Sequence, residues 1–172
     1  GQEFSRNIRE DKTTITCTPA ELAGLPEDYV ARHPAGADGR ITLTIEYPDA
    51  LPVFSYAKSG ELRKRMYMAY NNRAFPRNVE VLDRLRAKRH ELATLLGFSN
   101  WADCITADKM VGSAANARSF IDRVVAASAD RQAREYEQLL AGKRKDDPGA
   151  AAVEFWEVNY YKEQVRKADY DF

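Results

Sequence analysis

Arg77-Asn78-Val79-Glu80-Val81-Leu82-Asp83-Arg84-Leu85-Arg86-Ala87-Lys88-Arg89-His90-Glu91-Leu92-Ala93-Thr94-Leu95-Leu96-Gly97 decides the fold. Val81, Leu82, Leu85, Leu92, Leu95 and Leu96 recur at helical spacing, and the charged residues fill the remaining faces, as on an amphipathic helix. Asn78 is the expected N-cap. Gly97 supplies the left-handed residue expected to end the helix after Leu96. His90-Glu91 also begins the zinc-binding pattern H-E-x-x-H, which needs two imidazoles one turn apart on one helix face and a Glu between them to act on the metal-bound water. Thr94 stands where the second histidine belongs, and its hydroxyl is no substitute. The motif is therefore absent, and the helix reads as scaffold.

Helical patterning continues in both directions from this stretch. Upstream, Leu62, Met66, Ala69 and Tyr70 mark one apolar face. Downstream, Asn100 is expected to cap a short helix carrying Trp101, and Ser113 to cap the longest helix. Phe120, Ile121, Val124, Val125, Ser128, Gln132, Tyr136, Leu139 and Leu140 form a stripe along it, and Gly142 is its expected end. Lys143-Arg144-Lys145-Asp146-Asp147 then reads as a polar loop, with Asp147 as N-cap and Pro148 at the first position of a last helix. In that helix Val153, Phe155, Trp156, Val158, Tyr160, Tyr161 and Val165 spread round most of the cylinder, so neighbours are expected on more than one side. Phe155, Trp156, Val158, Tyr160 and Tyr161 are the candidate interface residues, expected to pair with a second copy or with further chain beyond Asp169-Tyr170-Asp171-Phe172.

The first 48 residues read differently. Thr13 to Thr18 alternates with Ile15 and Cys17 on one side, and Ile41 to Tyr47 alternates with apolar residues at odd positions, so two strands are expected to pair. Between them, Thr18 caps a short turn stopped by Gly24, and Pro26 opens another. His33, beside Pro34 in a run of turn residues, is expected to be exposed and idle. The fold class is thus mainly α with a small β element of two antiparallel strands near the N-terminus. Residues 1–48 hold short helices plus the strand pair, and 49–172 form a helical array, together one incomplete domain of a larger protein.

Composition narrows the function classes. The chain has 172 residues, is 44% hydrophobic and 30% charged, and has no net charge, which is ordinary globular usage. No apolar run approaches the ~20 residues of a membrane span, and the first residues lack a signal-peptide layout, so a cytoplasmic location and no membrane partner are expected. Cys17 and Cys104 make no disulfide framework and are expected to be inert thiols. From Glu61 to His90, Arg63, Lys64, Arg65, Arg73, Arg77, Arg84, Arg86, Lys88 and Arg89 face only Glu61, Glu80 and Asp83. Such a basic block suits phosphates, but no aromatic side chains interleave with it in a strand, so solvated helix faces are the expectation and nucleic acid is not an expected partner. G-x-S-x-G, G-x-x-x-x-G-K-[ST] and G-x-G-x-x-G are all missing.

Several short patterns fall in one order: Phe4-x-x-Asn7-Ile8; Ala20-Glu21-Leu22-Ala23-Gly24-Leu25-Pro26; Glu61-Leu62-Arg63-Lys64-Arg65 with Tyr67, Ala69-Tyr70 and Arg73; Arg89-His90-Glu91-Leu92-Ala93; Asn100-Trp101-Ala102; Asp108-Lys109-Met110; and Trp156-x-x-x-Tyr160-Tyr161. Together they resemble the middle of a thimet oligopeptidase/neurolysin-like zinc metallopeptidase of the bacterial oligopeptidase branch. The resemblance covers nearly the whole chain and implies a parent that hydrolyses short peptides with one zinc ion. It also implies that the true H-E-x-x-H and a third ligand, a Glu, lie beyond the Trp-Tyr-Tyr segment. No catalytic, cofactor-binding or metal-binding residue is therefore assigned here, and the chain alone is expected to bind no zinc and cleave no peptide. The expected partner is the missing catalytic portion or a second copy. The alternative is a self-contained helical interaction module, a relative that has lost its metal site.

Overall fold

The computed structural model describes residues 1–169, so the last three residues of the expected terminal cluster lie outside the described residues. The chain divides into two compact units: Gly1–Glu10 with Ala74–Arg134, and Asp11–Arg73 with Glu135–Phe172. The architecture is mainly α with one two-stranded antiparallel sheet.

The core of the second unit is built on that sheet. Strands β1 (Thr14–Cys17) and β2 (Ile41–Thr44) pair with Ile15 opposite Leu43 and Cys17 opposite Ile41, so alternation sends one apolar set to one face. Helices α2 (Glu27–Arg32), α3 (Tyr47–Tyr56) and α4 (Gly60–Asn71) close over it, burying Tyr29, Val53, Phe54, Ala57, Leu62 and Met66 with Cys17, Ile41, Leu43 and Ile45. Tyr47 was expected on the apolar side of β2. Instead it opens α3 and is 60% exposed, because Pro48 fits the first helical turn and has no N–H to lend a strand.

Local capping explains the short elements. Thr18 and Glu21 form a capping box on the 3-10 turn Pro19–Leu22, the Glu21 carboxylate accepting from the Thr18 N–H at 2.9 Å. Gly24 sits at φ +94°, and a Cβ there would run into the Tyr56 carbonyl, so only glycine fits. Ser59 caps α4 by accepting from the Leu62 N–H at 3.2 Å.

In the first unit, α1 (Gln2–Arg9) packs on α5 (Arg77–Leu95). Asn78 does not cap α5. It lies inside the helix, buried, and its side chain bonds Asn7 at 2.8 Å and the Phe4 carbonyl at 3.0 Å. Tertiary bonding has taken over the side chain that local preference assigned to capping. Gly97 ends α5 at φ +83°, Asn100 caps α6 (Trp101–Thr106), and Ser113 accepts from the Asn116 N–H at the start of α7 (Ala114–Asp146).

The end of α7, in the second unit, departs from expectation. The helix passes through Gly142 to Asp146. Gly142 lies within α7 and does not stop it; it faces Val165 and Tyr161 of α8 (Val158–Asp169), which a Cβ there would meet at ordinary contact distances of 3.5 Å and 3.9 Å. Lys143, Arg144 and Lys145 are the last turn of the helix, where cations suit its C-terminal dipole. Asp147 makes a turn with Gly149 and Ala150 instead of capping a helix, and α8 begins only at Val158. Val153, Phe155 and Trp156 therefore precede it, which removes the apparent spread of apolar residues round one cylinder.

Candidate functional site

The segment from Val153 to Tyr161 holds the expected interface residues, all in the second unit. Tyr160 and Tyr161 are buried, Trp156 and Val158 are half-buried, and Phe155 is 77% exposed. The two tyrosine rings meet edge to face at 5.1 Å, and the guanidinium of buried Arg63 lies 4.1 Å from the Tyr160 ring centroid. Arg63 donates to the carbonyls of Ala57 at 2.6 Å and Lys58 at 3.2 Å, while its Nε has no partner. Burial pulls this guanidinium below its ordinary pKa. Burial, then the charges of Asp146 and Glu157, push the Tyr161 hydroxyl up to about 12.

Trp156 joins a run of edge-to-face rings, Tyr47–Tyr70–Phe54–Tyr67–Trp156, with successive centroids 6.0, 5.7, 6.4 and 6.4 Å apart. Arg73 stacks on Tyr70 at 4.0 Å and Lys64 on Trp156 at 5.0 Å. Beside the segment, Lys143 Nζ lies 2.6 Å from the Glu157 carboxylate, both nearly buried, and also donates to the Ala152 carbonyl. Neither the buried Arg63 nor the Lys143–Glu157 pair was foreseen from sequence. Arg63 sits in an undistinguished Arg-Lys-Arg run, and no periodic signal links positions 143 and 157.

His33 belongs to the second unit and His90 to the first. His90 is exposed on α5, where the Thr94 hydroxyl donates to the His90 carbonyl at 3.0 Å and Glu91 pairs with Lys88 at 2.7 Å. His33 is not the exposed residue expected. Its side chain is 13% exposed, its Nε2 lies 3.1 Å from Asp49 Oδ1, and its Nδ1 donates to the Tyr29 carbonyl at 2.7 Å. The helical turn of α2 brings a carbonyl to one ring nitrogen and the first turn of α3 a carboxylate to the other, a tertiary arrangement with no local signal. Burial of Cys17 raises its thiol pKa, with the Glu21 charge adding to it. Among the described residues no three His, Cys, Asp or Glu side chains come together as a metal set.

Every basic residue from Arg63 to Arg89 is engaged within its own unit. Besides Arg63, Lys64 and Arg73, Arg65 pairs with Glu21 at 2.6 Å, Arg77 donates to the Asn7 carbonyl, and Arg84 pairs with Glu3 at 2.9 Å. Arg86 pairs with Asp83, Lys88 with Glu91, and Arg89 lies over Trp101 at 5.4 Å. The block is a set of internal ties.

Residues 53–172 match peptidase family M3. The chain is 31% identical to oligopeptidase A of Escherichia coli, over 97% of the chain and 27% of that protein. It is 32% identical to oligopeptidase PhomG of Diaporthe leptostromiformis, over 98% of the chain and 24% of that protein. It is 28% identical to a probable cytosolic oligopeptidase A of Arabidopsis thaliana, over 99% and 25% respectively. The chain thus spans about a quarter of the length of these relatives.

Proposed function

The chain belongs to peptidase family M3, and on that premise we propose that it is the non-catalytic helical scaffold of a longer zinc-dependent oligopeptidase. The observation that carries the reading is how the ordered patterns are used. Glu21 pairs with Arg65, Arg63 stacks on Tyr160, Tyr67 meets Trp156, Arg89 covers Trp101 and Asn7 bonds Asn78. These residues tie elements together within each unit.

Among the described residues no His, Cys, Asp and Glu side chains are grouped as a zinc site would need. A zinc site takes three or four ligands in close geometry, whereas His33 is held by Asp49 and Tyr29, and His90 has Thr94 one turn away. Zinc ligands, attacking water and peptide contacts belong, in this reading, to the rest of the parent. The parent is proposed to act in the cytoplasm; one relative is named as cytosolic, and no described helix is long and apolar enough to cross a membrane. A self-contained interaction module is the second reading, favoured by the closed core of the second unit.

Reading the gene past Phe172 separates the two. A downstream H-E-x-x-H with a later Glu, and a full-length product that cleaves short quenched-fluorescent peptides until a chelator is added, support the scaffold reading. A stop codon directly after Phe172 overturns it.

A further inference from the structure

Both ring nitrogens of His33 face oxygen atoms that accept. His33 closes α2, and its own N–H donates to the Val30 carbonyl at 3.1 Å, which leaves the Tyr29 carbonyl to Nδ1 at 2.7 Å. Nε2 lies 3.1 Å from Asp49 Oδ1. The other Asp49 oxygen, Oδ2, accepts from the Thr44 hydroxyl at 2.6 Å and from the Thr44 N–H at 2.9 Å. Burial pushes the Asp49 pKa up, but these bonds, with the His33 charge and ring, outweigh it and hold the carboxyl below its ordinary value. Asp49 is therefore an ionised acceptor. A neutral imidazole has one N–H and one lone pair, so either neutral tautomer sets a lone pair against an oxygen, at the carbonyl or at the carboxylate. The imidazolium alone donates at both.

We propose that His33 and Asp49 form a pH-sensitive clamp between α2 and the junction of β2 with α3, closed while His33 carries both ring protons and open once it has lost one. The clamp lies wholly within the second unit and does not depend on the scaffold reading. The two side chains are 13% and 16% exposed, so water competes little for either. From α2, the Tyr29 ring lies 4.3 Å from the imidazole, and Arg32 sits 5.9 Å from that tyrosine ring and pairs with Asp28 at 3.4 Å. From β1, Cys17 acts on Tyr29. Burial first, then Asp49 and Cys17, push the Tyr29 hydroxyl pKa up, and burial likewise raises the Cys17 thiol. Both therefore stay neutral where histidine ordinarily changes charge, between about pH 5 and pH 8. A partner that needs the charged ring adds stability at low pH, and that contribution is lost as the pH rises and the proton leaves. The clamp thus weakens toward alkaline pH, loosening α2 and the turn of residues 33–40 that follows it.

Hydrogen exchange on the full-length gene product tests the clamp, with rates corrected for the intrinsic effect of pH. Between about pH 5.5 and about pH 8.5, protection of residues 27–33 is expected to fall about fivefold to tenfold, while α4 keeps its protection. That is roughly the gap between a hydrogen bond to a charged group and one between neutral groups. In His33→Gln, whose amide does not titrate, the same segment is expected to show no such fall. Unchanged protection in the parent overturns the proposal, and so does an equal fall in His33→Gln, which assigns the effect to another group. Loss of protection in α4 of the variant at both pH values means that it has misfolded, and nitrogen-15 shifts of the His33 ring in the parent then decide. Two protonated ring nitrogens at about pH 5.5 and one at about pH 8.5 support the clamp, and a neutral ring at the lower pH overturns it.

Discussion

Asn7 donates from its side-chain amide to the Asn78 side-chain oxygen at 2.8 Å, joining α1 to α5 across 71 positions of sequence. Both residues are buried, and the Asn78 amide is itself used by the Phe4 carbonyl at 3.0 Å. Asn78→Ala leaves the Asn7 amide and the Phe4 carbonyl short of a partner, and a buried group so stranded costs about 1–3 kcal/mol. Urea unfolding should show that loss, and hydrogen exchange should quicken first in α1. An unchanged midpoint would mean that water replaces the bonds without cost.

Asp49 should make stability fall in acid. Burial alone would raise its pKa, but hydrogen bonds from the Thr44 hydroxyl and N–H, with the His33 charge and ring, outweigh it and hold the carboxyl below its ordinary value. Its folded pKa therefore lies below the unfolded value of about 3.9, so its contribution is complete above that value and drains away as pH falls through the lower folded one. The acid limb of a stability–pH curve should flatten in Asp49→Asn relative to the parent. Parallel curves between about pH 5 and pH 2 would remove Asp49 as the source.

Gly24→Ala should destabilise the second unit. A left-handed alanine costs roughly 1–2 kcal/mol before any clash, and the new methyl meets the Tyr56 carbonyl. A thermal melt should fall accordingly, whereas Gly39→Ala, also at positive φ but with open space around it, should cost only the backbone part.

Leu62→Ala should cost more. Leu62, on α4, is fully buried in the closed core, and emptying such a site typically costs about 2–5 kcal/mol. Met66→Leu, which keeps the volume, should cost less than about 1.5 kcal/mol. Equal losses for the two would show a loosely packed core.

The parts of the fold that were legible in sequence were those fixed by local chemistry. Alternation at Ile15/Cys17 and Ile41/Leu43 foretold the strand pair. Gly97, Asn100 and Ser113 punctuated their helices as expected, because each acts through its own backbone neighbourhood. The misreadings involve residues used at a distance. Asn78 looks like a cap until Asn7 is brought to it, Gly142 looks like a stop until α8 lies against it, and His33 looks exposed until Asp49 turns toward it. The candidate interface was legible only as a cluster of aromatic residues. Its distribution between buried Tyr160 and Tyr161 and exposed Phe155 depends on where α8 starts, and on ties such as Lys143 to Glu157 that have no sequence period.

The two tryptophans fall one to each unit, Trp101 beneath Arg89 and Trp156 between Tyr67 and Lys64. The chain is thereby fitted with two native fluorophores in separate surroundings. Excitation of tyrosine would feed Trp156 through the neighbouring rings, and replacing either indole with phenylalanine would leave the other to emit alone. The melting of each half is then readable as colour and intensity, without any label attached.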